Sequence, residues 1–222
     1  MQTEIVGATV RMASSDRDFR SACNIRAAAY SHHDPETGPR FGASDPMDRV
    51  EGTAVLLYRD TESGQDFGTA RIQMSAFGPL ALESGLCLPE WLANRPRAQI
   101  SRLAVLAGAG PLVKLYLMKA SYQYCLATQV RWMVIGARKP ALIRNYRNLG
   151  FIDVFEPGAW KPLASGVGLP HLILAFDVVG AQAAWLESKN RLYRFMTEPQ
   201  EEELLSLPAI DSVSQPLEIL AD

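Results

Sequence analysis

The sequence predicts a mixed α/β (α+β) domain built on one twisted central sheet, and three observations predict it. TAVLLYRD, the turn TESGQ and FGTARIQMSAF form a strand, a Gly-containing turn and a strand, the pattern of an antiparallel hairpin. QISRLAVLA, PLVKLYLMKASYQYCLATQ, RWMVIGA and PALIRNYRNLG then alternate strand, helix, strand, helix, which implies a parallel pairing. FIDVF and HLILAFDVVG add two antiparallel strands, for a sheet of about six to seven.

The remaining elements follow in order. IVGATVRM reads as a first strand, and SSDRDFRSACNIRAAAY as an Ala-rich helix that offers Ser and Asp as N-caps and ends near Tyr30. Residues 31 to 49, rich in His, Asp, Pro and Gly, read as a loop of a length that is uncommon unless functional. Residues 78 to 94 suggest a short helical excursion, and AQAAWLESKNRLYRFM one last helical stretch. Gly150 ends the helix before it.

The 222 residues, 48% hydrophobic, fill a sizeable core, so the expected organisation is one domain over 1–196 and an acidic tail over 197–222. A net charge of -2 gives no broad basic field and argues against nucleic acid as a partner. Cys23, Cys87 and Cys125 are odd in number, widely spaced and free of any C-x-x-C pairing, which argues against disulfides and zinc. A reducing, cytoplasmic location is expected. No positive region precedes an apolar block at the N-terminus, and no apolar run approaches the roughly 20 residues that span a bilayer.

Gly108-Ala109-Gly110-Pro111 lies between a strand and a helix, where backbone N–H groups and the helix dipole face outward and can bind phosphate; the glycines also have a purely steric reading. With IRNYRNLGFIDV downstream, this order resembles the core of the GNAT acyltransferase superfamily over Ala98 to Phe155. The resemblance implies helices on both faces of the sheet and a splayed strand that holds a pantetheine arm, with Leu103, Val105, Gly108, Ala109 and Gly110 at the donor. It also implies that Tyr146 protonates the departing thiolate. Where the family's phosphate turn reads Arg/Gln-x-x-Gly-x-Gly/Ala, AGAGPL has Ala107 first and Leu112 last, and its cation is missing. A carrier-borne phosphopantetheine, which has no pyrophosphate, loses less from that absence than coenzyme A does.

Arg26 with Tyr30, Asp45-Pro-Met-Asp48, Gly68-Thr-Ala-Arg71 and Gln99-Ile-Ser-Arg102 occur in the order in which the N-acyl amino acid synthases and acyl-homoserine-lactone synthases carry their corresponding groups. The sequence therefore resembles that branch. Arg71 and Arg102 either anchor an acceptor carboxylate or lock the Asp-bearing loop, through charge-assisted hydrogen bonds with Asp45 and Asp48 as natural partners. Gln99 stands where the branch carries Glu, and an amide cannot act as a general base. Backbone N–H groups near Leu103 to Leu106 are candidate oxyanion donors.

His32, with His33 and Asp34, offers a side chain suited to proton transfer near neutral pH, or a solvent-exposed loop. No further His or Cys arrangement completes a metal-ligand set. Met74, Phe77, Leu80, Leu82, Leu86 and Trp91 either line an acyl pocket or pack the core, and Trp132 and Trp160 share that ambiguity. The expected activity is transfer of a fatty acyl group from an acyl-carrier-protein or coenzyme A thioester to the α-amino group of an amino acid or related small amine. An acyl-homoserine-lactone synthase, an acetyl-coenzyme A-dependent N-acetyltransferase and a non-catalytic acyl- or carrier-binding module are the alternatives.

Overall fold

The computed structural model describes residues 7–32, 34–36, 38–164 and 168–198. Most of the expected tail, His33 and the start of the first expected strand lie outside the described residues. The strands are β1 (Ala8–Met12), β2 (Thr53–Asp60), β3 (Asp66–Met74), β4 (Arg97–Val105), β5 (Trp132–Ala137), β6 (Ile152–Asp153), β7 (Lys161–Pro162) and β8 (Pro170–Asp177). The helices are α1 (Asp16–Ser31), α2 (Glu90–Ala93), α3 (Val113–Ala127), α4 (Pro140–Leu149), α5 (Ala181–Glu187) and α6 (Tyr193–Thr197).

The sheet has eight strands in the order β1-β2-β3-β4-β5-β8-β6, with β7 pairing β8 off that path. The excess over the expected six to seven comes from β7, a piece of two residues that carries too little pattern to be counted from sequence, while the expected strand at FIDVF shortens to the two residues of β6. All pairings are antiparallel except β4 with β5.

Strand alternation places core on both faces. On one face Leu56, Ile72, Ile100, Met133 and Phe176 pack with Leu117 and Met118 of α3, Ile143 of α4 and Trp185 of α5. On the other, Val55 and Leu57 pack against Ala22, Ile25 and Ala29 of α1. Further along that second face, Leu80, Leu82 and Leu92 cover Val134 and Ile173.

Local chemistry sets the boundaries. Ser15 caps α1 through a capping box: its hydroxyl accepts from the Asp18 N–H at 3.2 Å, and Asp18 accepts from the Ser15 N–H at 3.1 Å. Gly150, at φ +108, supplies the left-handed residue that ends α4. The expected last helical stretch breaks into α5 and α6. Asn190 accounts for the break: its side-chain oxygen accepts from the Leu192 N–H at 2.9 Å, a local bond that competes with helix continuation. Residues 31 to 49 hold two 3-10 turns, Gly38–Gly42 and Pro46–Arg49, rather than an unstructured loop.

Candidate active site

Strand β4 organises the site. Arg71 faces Ser101 and Thr69 faces Ala104, so β4 carries one more residue than β3 across this interval, and the bulge sits at Arg102, whose φ is +54. On its other edge β4 pairs with β5 only at Arg97, Ala98 and Gln99, opposite Trp132, Met133 and Val134. Beyond those residues the two parallel strands form no further pairs, which leaves the β4 edge at Ser101–Val105 unpaired by β5. The backbone groups of Leu103 and Val105, expected at the donor, belong to this stretch.

On the α1 face, the four motif pieces converge. Arg71 donates through Nη1 to Asp45 at 2.7 Å and Asp48 at 3.4 Å, and through Nε to Ser101 Oγ at 3.2 Å. Arg26 donates from Nη1 to Asp48 at 2.5 Å. Arg102 lies 3.5 Å from Asp45 and stands over the Phe41 ring at 4.8 Å, and Phe41 in turn stacks on Tyr30 at 4.5 Å. Asp45 turns its other oxygen to the Met47 N–H at 3.1 Å, capping the 3-10 turn and fixing the carboxylate toward Arg71.

This cluster contains three guanidiniums and two carboxylates, at residues 26, 71, 102 and 45, 48. Arg26 is 1% exposed, and its Nε and Nη2 have no hydrogen-bond acceptor among the described residues. Buried donors left without a partner are costly, so an acceptor atom that reached them would be held strongly. Burial opposes ionisation of Asp45, yet Arg71, the Met47 N–H and Arg102 hold its pKa below the ordinary carboxylate value. Burial and the like charge of Arg71 press Arg102 below its ordinary value, with Tyr30 and Asp45 acting against them. Burial raises the Tyr30 phenol although all three arginines pull it down.

On the α3 and α4 face lies a cavity of about 590 Å³, lined by Leu103, Met118, Leu142 and Tyr146 among apolar groups and by Lys114, Lys189 and Arg191. Burial pushes the Tyr146 phenol well up from its ordinary value, and Tyr30 adds to the shift, so the phenol stays protonated at neutral pH. Tyr146 also stacks on Phe151 at 5.3 Å. Gly108 has φ +83, a conformation that favours glycine, whereas Gly110 shows no such need. Helix α3 begins at Val113, two residues beyond Pro111.

Other expected site residues fall elsewhere. Gln99 is buried, and its side-chain oxygen accepts from the Leu82 N–H at 2.9 Å, so it ties the connection 78–94 to β4. Its register neighbour Gln73 grips the same connection, accepting from the Ala81 N–H at 2.9 Å and donating to the Pro79 carbonyl at 3.2 Å. Leu80 and Leu82 are core. Phe77 and Trp91 are largely exposed, Trp91 against Trp132 at 5.0 Å, and neither they nor Met74 line the cavity. His32 is exposed at the end of α1. Sequence reasoning missed Phe41, for which an aromatic in a polar loop was the available signal, and Lys114, Lys189 and Arg191, for which there was none.

No family model matches the chain, and no curated protein matches it. Solved structures do, and they show the GNAT acyltransferase fold. The N-acyl amino acid synthase FeeM from uncultured soil microbes is 18% identical with a TM-score of 0.63, over 85% of this chain and 98% of that one. A CoA-dependent acyl-homoserine lactone synthase, BjaI, solved with SAM and isopentyl-CoA, is 16% identical with a TM-score of 0.64, over 92% and 96%. The ribosomal-protein-S18-alanine N-acetyltransferase from Escherichia coli is 16% identical with a TM-score of 0.53, over 77% and 94%.

Proposed function

We propose that the chain is an N-acyltransferase that moves a fatty acyl group from a phosphopantetheine thioester, carried by acyl carrier protein or coenzyme A, to the α-amino group of an amino acid. The observation that carries this reading is that β4 leaves β5 after Gln99 and from there supplies Leu103 to the cavity on one face and Arg102 to the arginine–aspartate cluster on the other. A thioester lying in the cavity reaches the cluster past this stretch, its pantetheine amides pairing with the free edge of β4 as a third strand does.

The neutral amine attacks the thioester carbon, the oxyanion is met by backbone N–H groups of the same stretch, and the carbon–sulfur bond breaks. The amine proton leaves to water, and Tyr146 gives its proton to the thiolate. Gln99 takes no proton in this scheme; it is a positioning residue that holds the connection 78–94. The donor pool places the reaction in the cytoplasm. No helix among the described residues is long and apolar enough to cross a membrane.

An α-amino acid fits the charge of the cluster. Its carboxylate offsets the excess guanidinium and gives the free N–H groups of Arg26 an acceptor. S-adenosylmethionine, the acceptor of the lactone synthases, carries a sulfonium cation that this excess opposes. The likeness to BjaI over 92% of the chain favours the lactone reaction as a second reading.

Mass spectrometry of organic extracts from overproducing cells, compared with Arg102→Ala and empty-vector controls, tests both. New N-acyl amino acids that vanish in the variant support the first reading. Acyl-homoserine lactones move the chain to the second, and the absence of any acylated product removes long-chain transfer.

A further inference from the structure

The turn that leads into α3 lacks the cation with which a donor phosphate is expected to be met, since Ala107 holds its place. Resting on the reading of the cavity as the thioester site, we propose that the donor phosphate is held instead by Lys114 from α3 and by Lys189 and Arg191 from the link between α5 and α6.

The charge distribution supports this anchor. All three cations line the cavity that Leu103 and Tyr146 line, and among the described residues no carboxylate does. A second cavity, beside α1, differs: there Arg17 and Arg20 share the lining with Asp66. The chain as a whole carries -2, so a one-signed positive lining does not follow from composition. Among the described residues, none of the three cations forms an ion pair. Lys114 stands in the first turn of α3, where the helix dipole is also positive, so the local potential favours an anion and no carboxylate among the described residues offsets it.

The link is built to hold its position. Trp185 Nε1 donates to the Leu149 carbonyl at 2.6 Å, and Asn190 Nδ2 donates to the Asn148 carbonyl at 2.8 Å, so two side chains clamp the link to the end of α4. Between them Lys189 has φ +50, the left-handed region in which glycine closes a helix with least strain. A lysine at this position therefore brings a cation at a backbone cost that glycine would avoid.

Phosphate is common to two sources. Coenzyme A carries three phosphate groups, and the arm of a carrier protein carries one. Isothermal titration of the full chain compares 4′-phosphopantetheine with pantetheine, which differ only by the phosphate. Phosphopantetheine is expected to bind at least about tenfold more tightly, with a preference that shrinks as salt rises. The combined Lys189→Gly and Arg191→Gln variant is expected to bring that ratio to about twofold or less while leaving pantetheine binding unchanged. Lys189→Gly alone relaxes the backbone, so weaker phosphopantetheine binding with an equal or higher Tm separates lost recognition from misfolding.

Equal affinity for the two probes in the native chain, or a preference that survives in the combined variant, overturns the anchor while leaving the cavity as the thioester site. If neither probe binds, the anchor and the thioester site fall together. Coenzyme A binding more tightly than phosphopantetheine supports the anchor with free coenzyme A as the source. A holo acyl carrier protein binding more tightly, with coenzyme A no better than phosphopantetheine, supports it with the carrier as the source.

Discussion

The two faces of the sheet share β4 and solve opposite problems. On the α1 face, charge is buried and largely matched: Arg26, Arg71 and Asp48 are at most 4% exposed and held by direct ion pairs. On the α3 and α4 face the lining mixes apolar side chains with three cations, and among the described residues no carboxylate matches them. Under the proposed function, the first arrangement orients a small polar acceptor through guanidiniums held by ion pairs, and the second takes a long donor whose charged end meets the cations. On that proposal, the difference teaches that acceptor and donor selection lie on surfaces that can be altered independently.

Arg71→Leu tests that independence with the largest effect. Removing one member of the buried network leaves Asp45 and Asp48 short of a partner, and the chain is expected to lose about 3–5 kcal/mol in denaturant unfolding. A loss below about 1 kcal/mol would show that the cluster is solvated rather than buried. Tyr146→Phe comes next: kcat is expected to fall about 100-fold with unchanged Tm, since only a proton donor is removed. An unchanged kcat gives the thiolate's proton to water. Arg102→Lys keeps the charge and loses the fork, so KM for the amino acid is expected to rise about tenfold while KM for the donor stays constant. Equal changes in both would deny the separation of the faces.

Acid is a gentler probe of the matched face. The folded-state pKa of Asp45 lies below its ordinary value, so its contribution is complete above about pH 4 and is lost as pH falls toward the folded-state pKa. Asp18 is shifted in the same direction: burial opposes ionisation, but the Arg11 side chain and the N–H groups of Ser14 and Ser15 outweigh it. The urea midpoint is expected to drop between pH 6 and pH 3, and to drop less in Asp45→Asn. A variant with the full native drop would take Asp45 out of the network. The smallest effect concerns the turn: Gly108→Ala is expected to cost about 1 kcal/mol for its positive φ, and Gly110→Ala nothing measurable. Equal costs would mean that the glycines serve the turn alike.

Much of the architecture was legible because periodicity and punctuation agree. The β2–β3 hairpin, the parallel β4–α3–β5–α4 unit and the Gly150 stop were each marked by alternation or by a turn residue. So was the pairing of Arg71 and Arg102 with the Asp-bearing loop, because charged residues in otherwise apolar strands require partners, whereas the pairing of Arg26 on α1 with Asp48 carried no such mark. What escaped depended on where strands lie in space. Gln99 looked like a site residue, yet alternation turns it toward Leu82. Tyr146 revealed nothing of its burial, and the exposed Trp91 looked as apolar as the buried Leu82. The cations of the cavity come from α3 and from the link between α5 and α6, far apart in sequence, and no linear pattern gathers them.

The short seam between β4 and β5 also bears on how the chain assembles. Strands β1 to β4 pair in chain order and are all present by Val105, whereas β5 makes three residue pairs with β4 and six with β8, the last long strand of the sheet. A strand is paired only after its partner has left the ribosome. The first four strands can thus collapse during synthesis while β5 waits for residues 170–177 to emerge. A nascent chain stopped before β8 leaves the edge of β5 open to other chains. The seam that the proposed function uses to bring two substrates together is therefore also the joint at which an unfinished molecule is most exposed to aggregation.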